Sequence, residues 1–499
     1  MKTAIVPTRK DNYPEWYQQV ISAADMAENS PTRGCMVIKP WGYAIWENIQ
    51  KDLDGRIKET GHVNAYFPLL IPLSQLEKEA KHIEGFAKEC AVVTHHRLKG
   101  VDGKLIPDGE LEEPYVIRPT SETMIGVMYS KWVQSHRDLP ILINQWANVM
   151  RWEMRTRLFL RTSEFLWQEG HTAHATESEA VDETKKMLDV YAKHATEFLA
   201  MPVIKGEKTE SERFPGAVNT YCIEAMMQDG KALQAGTSHF LGQHFSKAYN
   251  IEFTNETGEK QFAFTTSWGV STRLIGGLIM THSDDNGLVL PPAVSPYHVV
   301  ILTIIKSEEE KARVQTAAEQ LKKQLSELIF KGEKLRVFID YRDMRGGEKF
   351  WHWIKKGVPL IIELGPRDIE NQTVMLCKRN DPDLKKQSTE QSAVLSSAVT
   401  WLDEMQKGLF QKADSFMKNN IVSVSDANEF KKIFTENTDE SLNNRFVSCY
   451  AKDTAELEAL LKSLKASARC IPLENNDQPG NCIFTGEKVD KKTIFAKAY

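Results

Sequence analysis

Charged and aromatic side chains crowd one stretch that is otherwise apolar enough to lie inside a domain. Residues 141–171 hold two runs of alternating apolar and polar residues around a short polar link, which predicts an antiparallel strand, loop and strand. Because strand side chains alternate, Arg151 and Glu153 are expected on one face. The same alternation groups five further residues on one face, namely Arg161, Phe165, Trp167, Glu169 and His171.

The residue types on this face suit two ligands at once. Arginine binds phosphate or carboxylate through paired hydrogen bonds, and an aromatic box with an acid suits a small apolar group that carries an ammonium. The stretch therefore predicts a site for a nucleotide beside an amino acid. An internal ion-pair network with no ligand is the alternative.

Two further segments carry polar side chains at the ends of predicted elements. A strand ends at Arg118, and Thr120, Ser121 and Glu122 then open a helix, where ligands commonly bind. Helix capping by Thr120 or Ser121 is the alternative reading. In the second segment, a strand from Gln261 leads into a helix whose first turn contains Arg273, and an anion there would neutralise both the arginine and the helix end.

Composition limits the class of protein. The 499 residues predict two to four domains, and a formal net charge of -5 gives no overall basic character. Seven scattered cysteines, no apolar leader and no run long enough to cross a membrane favour a cytoplasmic enzyme with reduced thiols. A kinase-like HRDL string stands alone, and paired histidines such as His95 and His96 have no partners at zinc spacing.

The remaining elements follow from periodicity. Residues 13–28 and a segment starting at Pro40 are predicted helices, and Gly61 is expected to cap the second. Residues 63–72 read as an edge strand that Pro68 interrupts, and the helix with this strand is a candidate subunit contact. From Pro291 an alternating series of strands and helices predicts a small α/β domain.

Several long segments in the same order resemble a class II aminoacyl-tRNA synthetase, and specifically the prolyl-tRNA synthetase family of the archaeal/eukaryotic type. NAYFP, NQWANVMRWE with FLRTSEFLWQEGH, and SWGVSTR resemble the three class II motifs. RPTSET, QAGTSHFLGQ and the terminal FAKAY are similar to the prolyl group, and the resemblance covers nearly the whole chain.

The resemblance implies an α+β protein of three domains. Residues 1–290 would form the class II catalytic domain on an antiparallel sheet, and residues 291–395 an α/β anticodon-binding domain. Residues 396–499 would form a small α+β C-terminal domain of a degenerate zinc-binding type. A cytoplasmic homodimer is expected, with Pro68 near the subunit interface.

By the same resemblance the enzyme would join proline to tRNA(Pro) in two steps, with Mg²⁺ entering together with ATP. Arg151 and Arg273 are the expected catalytic residues. The expected proline site comprises Thr120, Glu122, Arg151 and His239, together with the box formed by Phe165, Trp167, Glu169 and His171. The expected ATP site comprises Arg151, Glu153, Arg161, Thr162, Gln234, Thr237, Ser271 and Arg273, with Gln234 a candidate for Mg²⁺.

The chain departs from the family in two places. Each half of the usual cysteine set has lost its second thiol, so Cys449 and Cys482 remain and no structural zinc is expected. The segment between the second and third motifs is too short for the large editing domain of bacterial-type relatives. A pocket separates amino acids that differ by a methylene by only about 1–3 kcal/mol, so alanine or cysteine is expected to be mischarged.

Two other functions stay open at this stage. One is a class II synthetase for another small amino acid such as threonine or serine. The other is a regulatory protein that binds tRNA or an amino acid without joining the two. The arginines retained in the class II motifs argue against this function. The terminal Tyr499 is expected to approach the catalytic domain, and the loop with Arg155 and Arg157 is a candidate contact for the tRNA acceptor end.

Overall fold

The computed structural model describes residues 4–80, 89–305, 307–436, 444–474 and 478–499. Up to residue 290 the helices are α1 (Tyr13–Ala23), α2 (Pro40–Glu59), α3 (Leu73–Ala80), α4 (Glu122–Trp132), α5 (Glu177–Lys193), α6 (His244–Tyr249) and α7 (Arg273–His282). The strands of this part are β1 (Ala27–Asn29), β2 (Met36–Ile38), β3 (Val63–Asn64), β4 (Leu70–Pro72), β5 (Val92–Val101), β6 (Lys104–Ile117), β7 (Ile141–Met150), β8 (Glu164–His174), β9 (Val203–Glu207), β10 (Asn219–Met226), β11 (Ala232–Gly242), β12 (Glu252–Thr254), β13 (Lys260–Phe262) and β14 (Phe264–Ser271). Short helical turns lie at His136–Asp138, His194–Phe198 and Glu210–Glu212.

The middle and C-terminal parts continue the chain. The middle part contains β15 (Val299–Thr303), α8 (Glu308–Ser326), β16 (Ile329–Phe330), β17 (Glu333–Lys334), β18 (Val337–Asp340), α9 (Gly346–Lys355), β19 (Leu360–Leu364), α10 (Pro366–Asn371), β20 (Thr373–Lys378), β21 (Gln387–Glu390) and α11 (Gln391–Asn419). The C-terminal part contains β22 (Ile421–Ser423), α12 (Ala427–Glu436), β23 (Phe446–Cys449), α13 (Ala455–Ser463), β24 (Ser467–Pro472), β25 (Gly480–Asn481), β26 (Lys488–Val489) and β27 (Thr493–Ala496).

Helix α2 shows how local sequence sets an element. Pro40 occupies its first turn, where a missing N–H is harmless, and the apolar face that includes Ile45, Ile49 and Leu53 is buried. Gly61 follows the helix with φ +91°, a conformation that glycine adopts without strain. These predictions are confirmed.

Helix α1 is shorter than the predicted helix over residues 13–28. It ends at Ala23, and Asp25 takes a left-handed conformation with φ +57°. Residues 27–29 instead form β1, which pairs antiparallel with β2. The prediction is wrong at this end because pairing with β2, distant in the local pattern, overrides the helical periodicity.

One eleven-stranded sheet runs through the N-terminal and C-terminal parts, in the order β22-β23-β27-β24-β9-β10-β11-β14-β8-β7-β3. Its centre, from β9 to β7, is antiparallel throughout. Strand β24 joins the C-terminal strands to this centre by pairing with β9, with Ile471 opposite Glu207. The α+β class and the antiparallel central sheet are confirmed.

The middle part has its own five-stranded sheet in the order β18-β15-β19-β20-β21. Its first three strands are parallel, and β20 and β21 are antiparallel additions. Helices α8 and α11 bury apolar faces against a core that includes Ile301, Leu321 and Leu402. This confirms the predicted α/β domain. Among the described residues, no helix is both long and apolar enough to span a membrane.

Candidate active site

The strands β7 and β8 form the predicted hairpin, and one face of β8 opens into a cavity of about 340 Å³. Phe165, Trp167, Glu169 and His171 line it, as the alternation of strand side chains predicts. Other elements complete the cavity wall. From α4, β7 and their neighbours come Thr120, Glu122 and Arg151, and from β11, β14 and α7 come Gln234, Thr237, His239, Ser271 and Arg273.

A network of hydrogen bonds organises the acidic end of the cavity. The Glu169 carboxylate accepts from the Gln145 amide at 2.8 Å and from the Ser121 hydroxyl, and it lies 2.9 Å from His171 Nε2. Burial opposes charge on His171. The bond to Glu169 and the charges of Glu122 and Glu169 outweigh burial, so the pKa of His171 is raised. Burial likewise favours a neutral Glu169, but its hydrogen bond to His171 lowers the pKa of Glu169.

The segment before α4 serves this network rather than the helix end. Ser121 occupies the N-cap position but makes no capping hydrogen bond, because its hydroxyl bonds Glu169. The Thr120 hydroxyl donates to the carboxylate of Glu122. Helix capping, the alternative reading of this segment, is therefore wrong. Thr120 and Ser121 are both buried, and Thr120 lines the cavity.

Two arginines also line the cavity, Arg151 beside the aromatic box and Arg273 at the start of α7. Arg151 follows the last residue of β7, donates from Nε to the carbonyl of Pro119 at 2.9 Å and places its guanidinium 5.5 Å from the centre of the Trp167 ring. Arg273 is the first residue of α7, as predicted, and its Nε donates to the carbonyl of Leu160 at 3.2 Å. Two cations and a helix N-terminus face one space, so the cavity attracts an anion.

Burial and mutual repulsion both act on these arginines. Burial, followed by the charges of Arg161 and Arg151, lowers the pKa of Arg273 to about 10. Burial also lowers the pKa of Arg151, although Glu122 and Glu169 oppose the change. Both side chains remain protonated at neutral pH. An anion bound between them would relieve the repulsion.

Three residues of the predicted ATP site do not line the cavity. Arg161 pairs with Glu153 at 2.7 Å and is 60% exposed, and the Thr162 hydroxyl donates to the carbonyl of Glu164. The prediction that Arg161 shares a strand face with Phe165 is wrong, because β8 begins only at Glu164. The polar link is a loop with its own turns, to which strand alternation does not apply.

His239 closes the cavity from strand β11. Its Nδ1 lies 3.1 Å from the Thr220 hydroxyl, and its ring packs against Phe214 with centroids 4.5 Å apart. Burial, assisted by the charge of His171, lowers the pKa of His239 to about 3. The ring is therefore neutral in the range where His171 is protonated.

Sequence reasoning missed one wall. The charged segment between β9 and β10 was not among the predicted site residues, yet it contributes Lys208, Glu212, Arg213 and Phe214 to the cavity. Among the described residues, the buried atoms Trp167 Nε1, Ser267 Oγ and Arg213 Nε find no hydrogen-bond partner, and all three residues line the cavity. Unsatisfied buried polar groups at a cavity wall are typical of a ligand site. The sequence signal was weak, because a charged loop is usually only a solvated surface.

The described residues contain one group that could hold a metal ion by proximity, formed by Glu122, Glu169 and His171. Its imidazole and one carboxylate already bond each other, and the raised pKa of His171 favours the protonated ring, which cannot ligate a metal. The cluster suits a cationic amine better. At the other end, the Gln234 amide oxygen is the hard donor that Mg²⁺ prefers.

The C-terminal cysteines do not fit a zinc site. Thr454 stands where a thiol would be expected, and its side chain caps α13 by accepting from the Leu457 amide. Phe484 packs edge-on against Phe430 in the apolar core. Cys449 and Cys482 are left with no third ligand among the metal-binding groups of the described residues.

The chain end meets the catalytic part, as expected. The Tyr499 hydroxyl donates to Asp229 at 2.6 Å, and its backbone amide donates to the carbonyl of Ala232. The exposed Arg157 places its guanidinium 5.9 Å from the centre of the Tyr499 ring. The candidate acceptor loop and the C-terminus are therefore neighbours.

Three family profiles match the chain in sequence order. The class II core domain of tRNA synthetases for G, H, P, S and T matches residues 104–282. An anticodon binding domain matches residues 298–404, and the C-terminal domain of prolyl-tRNA synthetase matches residues 435–499.

Full-length relatives give the same result. A proline–tRNA ligase of Bdellovibrio bacteriovorus is 60% identical over 100% of this chain and 99% of its own length. A proline–tRNA ligase of Rhodopirellula baltica is 58% identical over 100% of this chain and 98% of its own length. One of Flavobacterium johnsoniae is 52% identical over 99% of this chain and 99% of its own length.

Proposed function

The chain belongs to the prolyl-tRNA synthetases of class II, the proline–tRNA ligases, and from this premise we propose how its residues share the reaction. The enzyme activates proline with ATP to form prolyl-adenylate and pyrophosphate, and then transfers the prolyl group to the 3′ end of tRNA(Pro). The observation that carries the assignment of roles is a single cavity lined both by an acid and imidazole network and by two partly buried arginines.

The acidic end is the proposed proline site. Its residues are Thr120, Glu122, Arg151, Phe165, Trp167, Glu169, His171 and His239. The ring nitrogen of proline is cationic, so Glu122 and Thr120 offer it acceptor oxygens. Phe165 and Trp167 provide an apolar wall that matches the ring. His171 is held by Glu169 and stays out of direct competition with the amine.

The arginine end is the proposed ATP site. Its residues are Arg151, Glu153, Arg161, Thr162, Gln234, Thr237, Ser271 and Arg273, and Mg²⁺ is proposed to enter with ATP beside Gln234. Five of these line the cavity, and the charge of Arg161 acts on Arg273, which supports a site that continues beyond the cavity mouth. Glu153 holds Arg161 in place.

The first step needs no general base. The carboxylate of proline is ionised at neutral pH and attacks the α-phosphorus, so that a new O–P bond forms and the bond to pyrophosphate breaks. Negative charge grows on the phosphate oxygens in the transition state. Arg151 and Arg273 are proposed to stabilise it as catalytic residues, because both are already fixed by backbone carbonyls.

ATP–pyrophosphate exchange measured across a panel of amino acids tests this proposal. Exchange should depend on proline and remain at background with threonine and serine. Charging of tRNA(Pro) should follow. Exchange that depends on threonine, or none at all, would contradict the assignment.

The second step is proposed to use the loop with Arg155 and Arg157 to touch the tRNA acceptor end. Both side chains are exposed. Arg155→Glu with Arg157→Glu should weaken charging several-fold while exchange stays near wild type. Equal loss of both activities would remove the loop from the second step.

The domain division is proposed at residues 1–290, 291–395 and 396–499, with α11 crossing the second boundary. We further propose the archaeal/eukaryotic architecture, which the C-terminal domain and the short segment between His171 and Ser267 support. The relatives described above are bacterial, so the term refers to architecture and not to source. A cytoplasmic homodimer is proposed, with the exposed Tyr66 near Pro68 at the interface.

Two further proposals concern zinc and the correction of mischarged tRNA. The chain is proposed to hold no structural zinc, and stoichiometric zinc in purified protein would contradict this. It is also proposed to mischarge alanine or cysteine and to leave the product to a separate deacylase. Rapid hydrolysis of alanyl-tRNA(Pro) by this protein alone would contradict the second point.

A further inference from the structure

A buried charged cluster lies where the C-terminal domain meets the cavity. Its members are Lys208, Glu224 and Arg469, which are 4%, 0% and 8% exposed. The Glu224 carboxylate accepts from Lys208 Nζ at 3.0 Å and from Arg469 Nε and Nη2 at 3.1 and 2.9 Å. Lys208 also donates to the backbone carbonyl of Arg469 at 2.7 Å.

Irregular strand pairing occurs at or opposite two of these residues. The register of β24 against β27 runs from Ala468 to Cys470 and skips Arg469, so Arg469 is the extra residue of a bulge. The register of β10 against β11 shifts between Ile223 and Glu224. In the second case the unpaired residue is Ala235 of β11, opposite the cluster. A bulge changes the direction of a side chain, and at Arg469 it accompanies contacts between residues that lie 245 positions apart.

The cluster borders the proposed ATP site. Glu224 lies directly opposite Gln234 in the register of β10 and β11, and Lys208 itself lines the cavity with Gln234 and Arg273. The charges of Arg469 and Glu224 both act on Arg273, with opposite signs. The cluster is therefore within electrostatic reach of the residue proposed to stabilise the transferred phosphate.

The net charge of the cluster depends on Arg469. Two cations and one carboxylate leave one net positive charge behind the cavity wall. Without Arg469 the cluster would be neutral, and Glu224 would hold only one cationic partner. A buried carboxylate with fewer partners interacts more strongly with other nearby cations, and the charge of Glu224 already acts on Arg273.

We propose that Arg469 is a positioning residue for adenylation: by pairing with Glu224, the C-terminal domain keeps that carboxylate from competing with the phosphates of ATP for Arg273. The inference rests on the proposed assignment of Arg273 to ATP. On this proposal the C-terminal domain contributes to adenylation, in addition to extending the sheet.

Steady-state exchange kinetics of the full-length enzyme test this. Arg469→Met keeps the apolar stem and removes the charge, and it should raise the KM for ATP about ten-fold with the KM for proline unchanged. Arg469→Lys keeps the charge but loses the paired hydrogen bonds that the guanidinium makes with Glu224, so a smaller rise is expected. It also serves if Arg469→Met fails to fold.

The double variant Arg469→Met with Glu224→Gln provides the decisive comparison. It contains one cation and no carboxylate, so it restores the net charge of the wild type and removes the competitor. The KM for ATP should return toward the wild-type value, although two mutations have been made.

Glu474→Gln is the matched control. Glu474 pairs with Lys205 at 3.2 Å across the same strand junction, but it is 83% exposed and does not line the cavity. Its kinetics should match the wild type.

The alternative is that Arg469 only fastens the domains together. In that case Arg469→Met would lower kcat and thermal stability with the KM for ATP unchanged, or the double variant would be worse than the single one, and either result would overturn the inference. The ATP assignment is tested separately. If Arg273→Gln leaves exchange unaffected while the wild type is active, that assignment fails, whatever the Arg469 variants show.

Discussion

At the proposed proline end of the cavity the polar side chains bond one another, whereas in the proposed ATP site two arginines face a common space under mutual repulsion. Glu169 has partners in Ser121, Gln145 and His171 before any ligand arrives. Arg151 and Arg273 are each held by one backbone carbonyl at Nε. The side chains around Glu169 are therefore fixed in position before a ligand binds, whereas the arginines supply positive charge.

The difference matches the chemistry of the two substrates. Proline is small and must be distinguished from similar amino acids, which demands fixed groups around it. ATP brings several negative charges, and the reaction adds charge to the α-phosphate. The two arginines repel each other, and a bound anion relieves this repulsion. They therefore stabilise the negative charge on the α-phosphate without rearranging.

The largest expected effect comes from removing charge at the ATP end. Arg151→Ala and Arg273→Ala should each lower kcat/KM for exchange by roughly 10²–10³-fold, because each removes a fixed cation from the transition state. Steady-state exchange assays measure this loss of kcat/KM. Arg137→Ala, in an exposed turn outside the cavity, is the control. Intact exchange in Arg151→Ala would contradict the proposed mechanism.

A smaller and more selective effect is expected at the proline end. Glu169→Gln keeps the shape but removes the charge that holds His171, so the KM for proline should rise roughly ten- to hundred-fold. The KM for ATP should change little, since Glu169 belongs to the other end. A parallel change in both constants would show that the two ends are not separate.

The pH dependence of stability sharpens the same contrast. The pKa of His171 is raised, so its stabilising charge is fully present below the unfolded pKa and is lost as pH rises through the folded pKa. The pKa of Glu169 is lowered, so its contribution is present above its unfolded pKa and is lost as pH falls through its folded pKa. The difference in Tm between wild type and Glu169→Gln should therefore be greatest between these limits and shrink on either side.

The smallest effect separates a binding hydroxyl from a capping one. Ser121→Ala should raise the KM for proline a few-fold with little change in stability beyond its lost hydrogen bond. Thr176→Ala removes a capping box at the start of α5 and should lower stability by about 1 kcal/mol with unchanged kinetics. Thermal denaturation and exchange kinetics of both variants test this. The reverse pattern would restore the capping role of Ser121.

Local patterns in the sequence determined much of this protein. Alternation in residues 141–171 predicted the hairpin and the four side chains of its inner face, and Pro40 and Gly61 predicted the ends of α2. The place of Arg273 in the first turn of α7 followed from periodicity as well. These features depend on residues a few positions apart, so they are visible in the chain itself.

Only the tertiary structure decided the rest. The pairing of β1 with β2 ended α1 early, and the loop before Glu164 removed Arg161 from the strand face. The wall around Lys208 and its contact with Arg469 depends on the bulge at Arg469 and on the joining of β24 to β9. Such contacts arise from packing between distant segments, and neither composition nor periodicity records which distant strand a segment will meet.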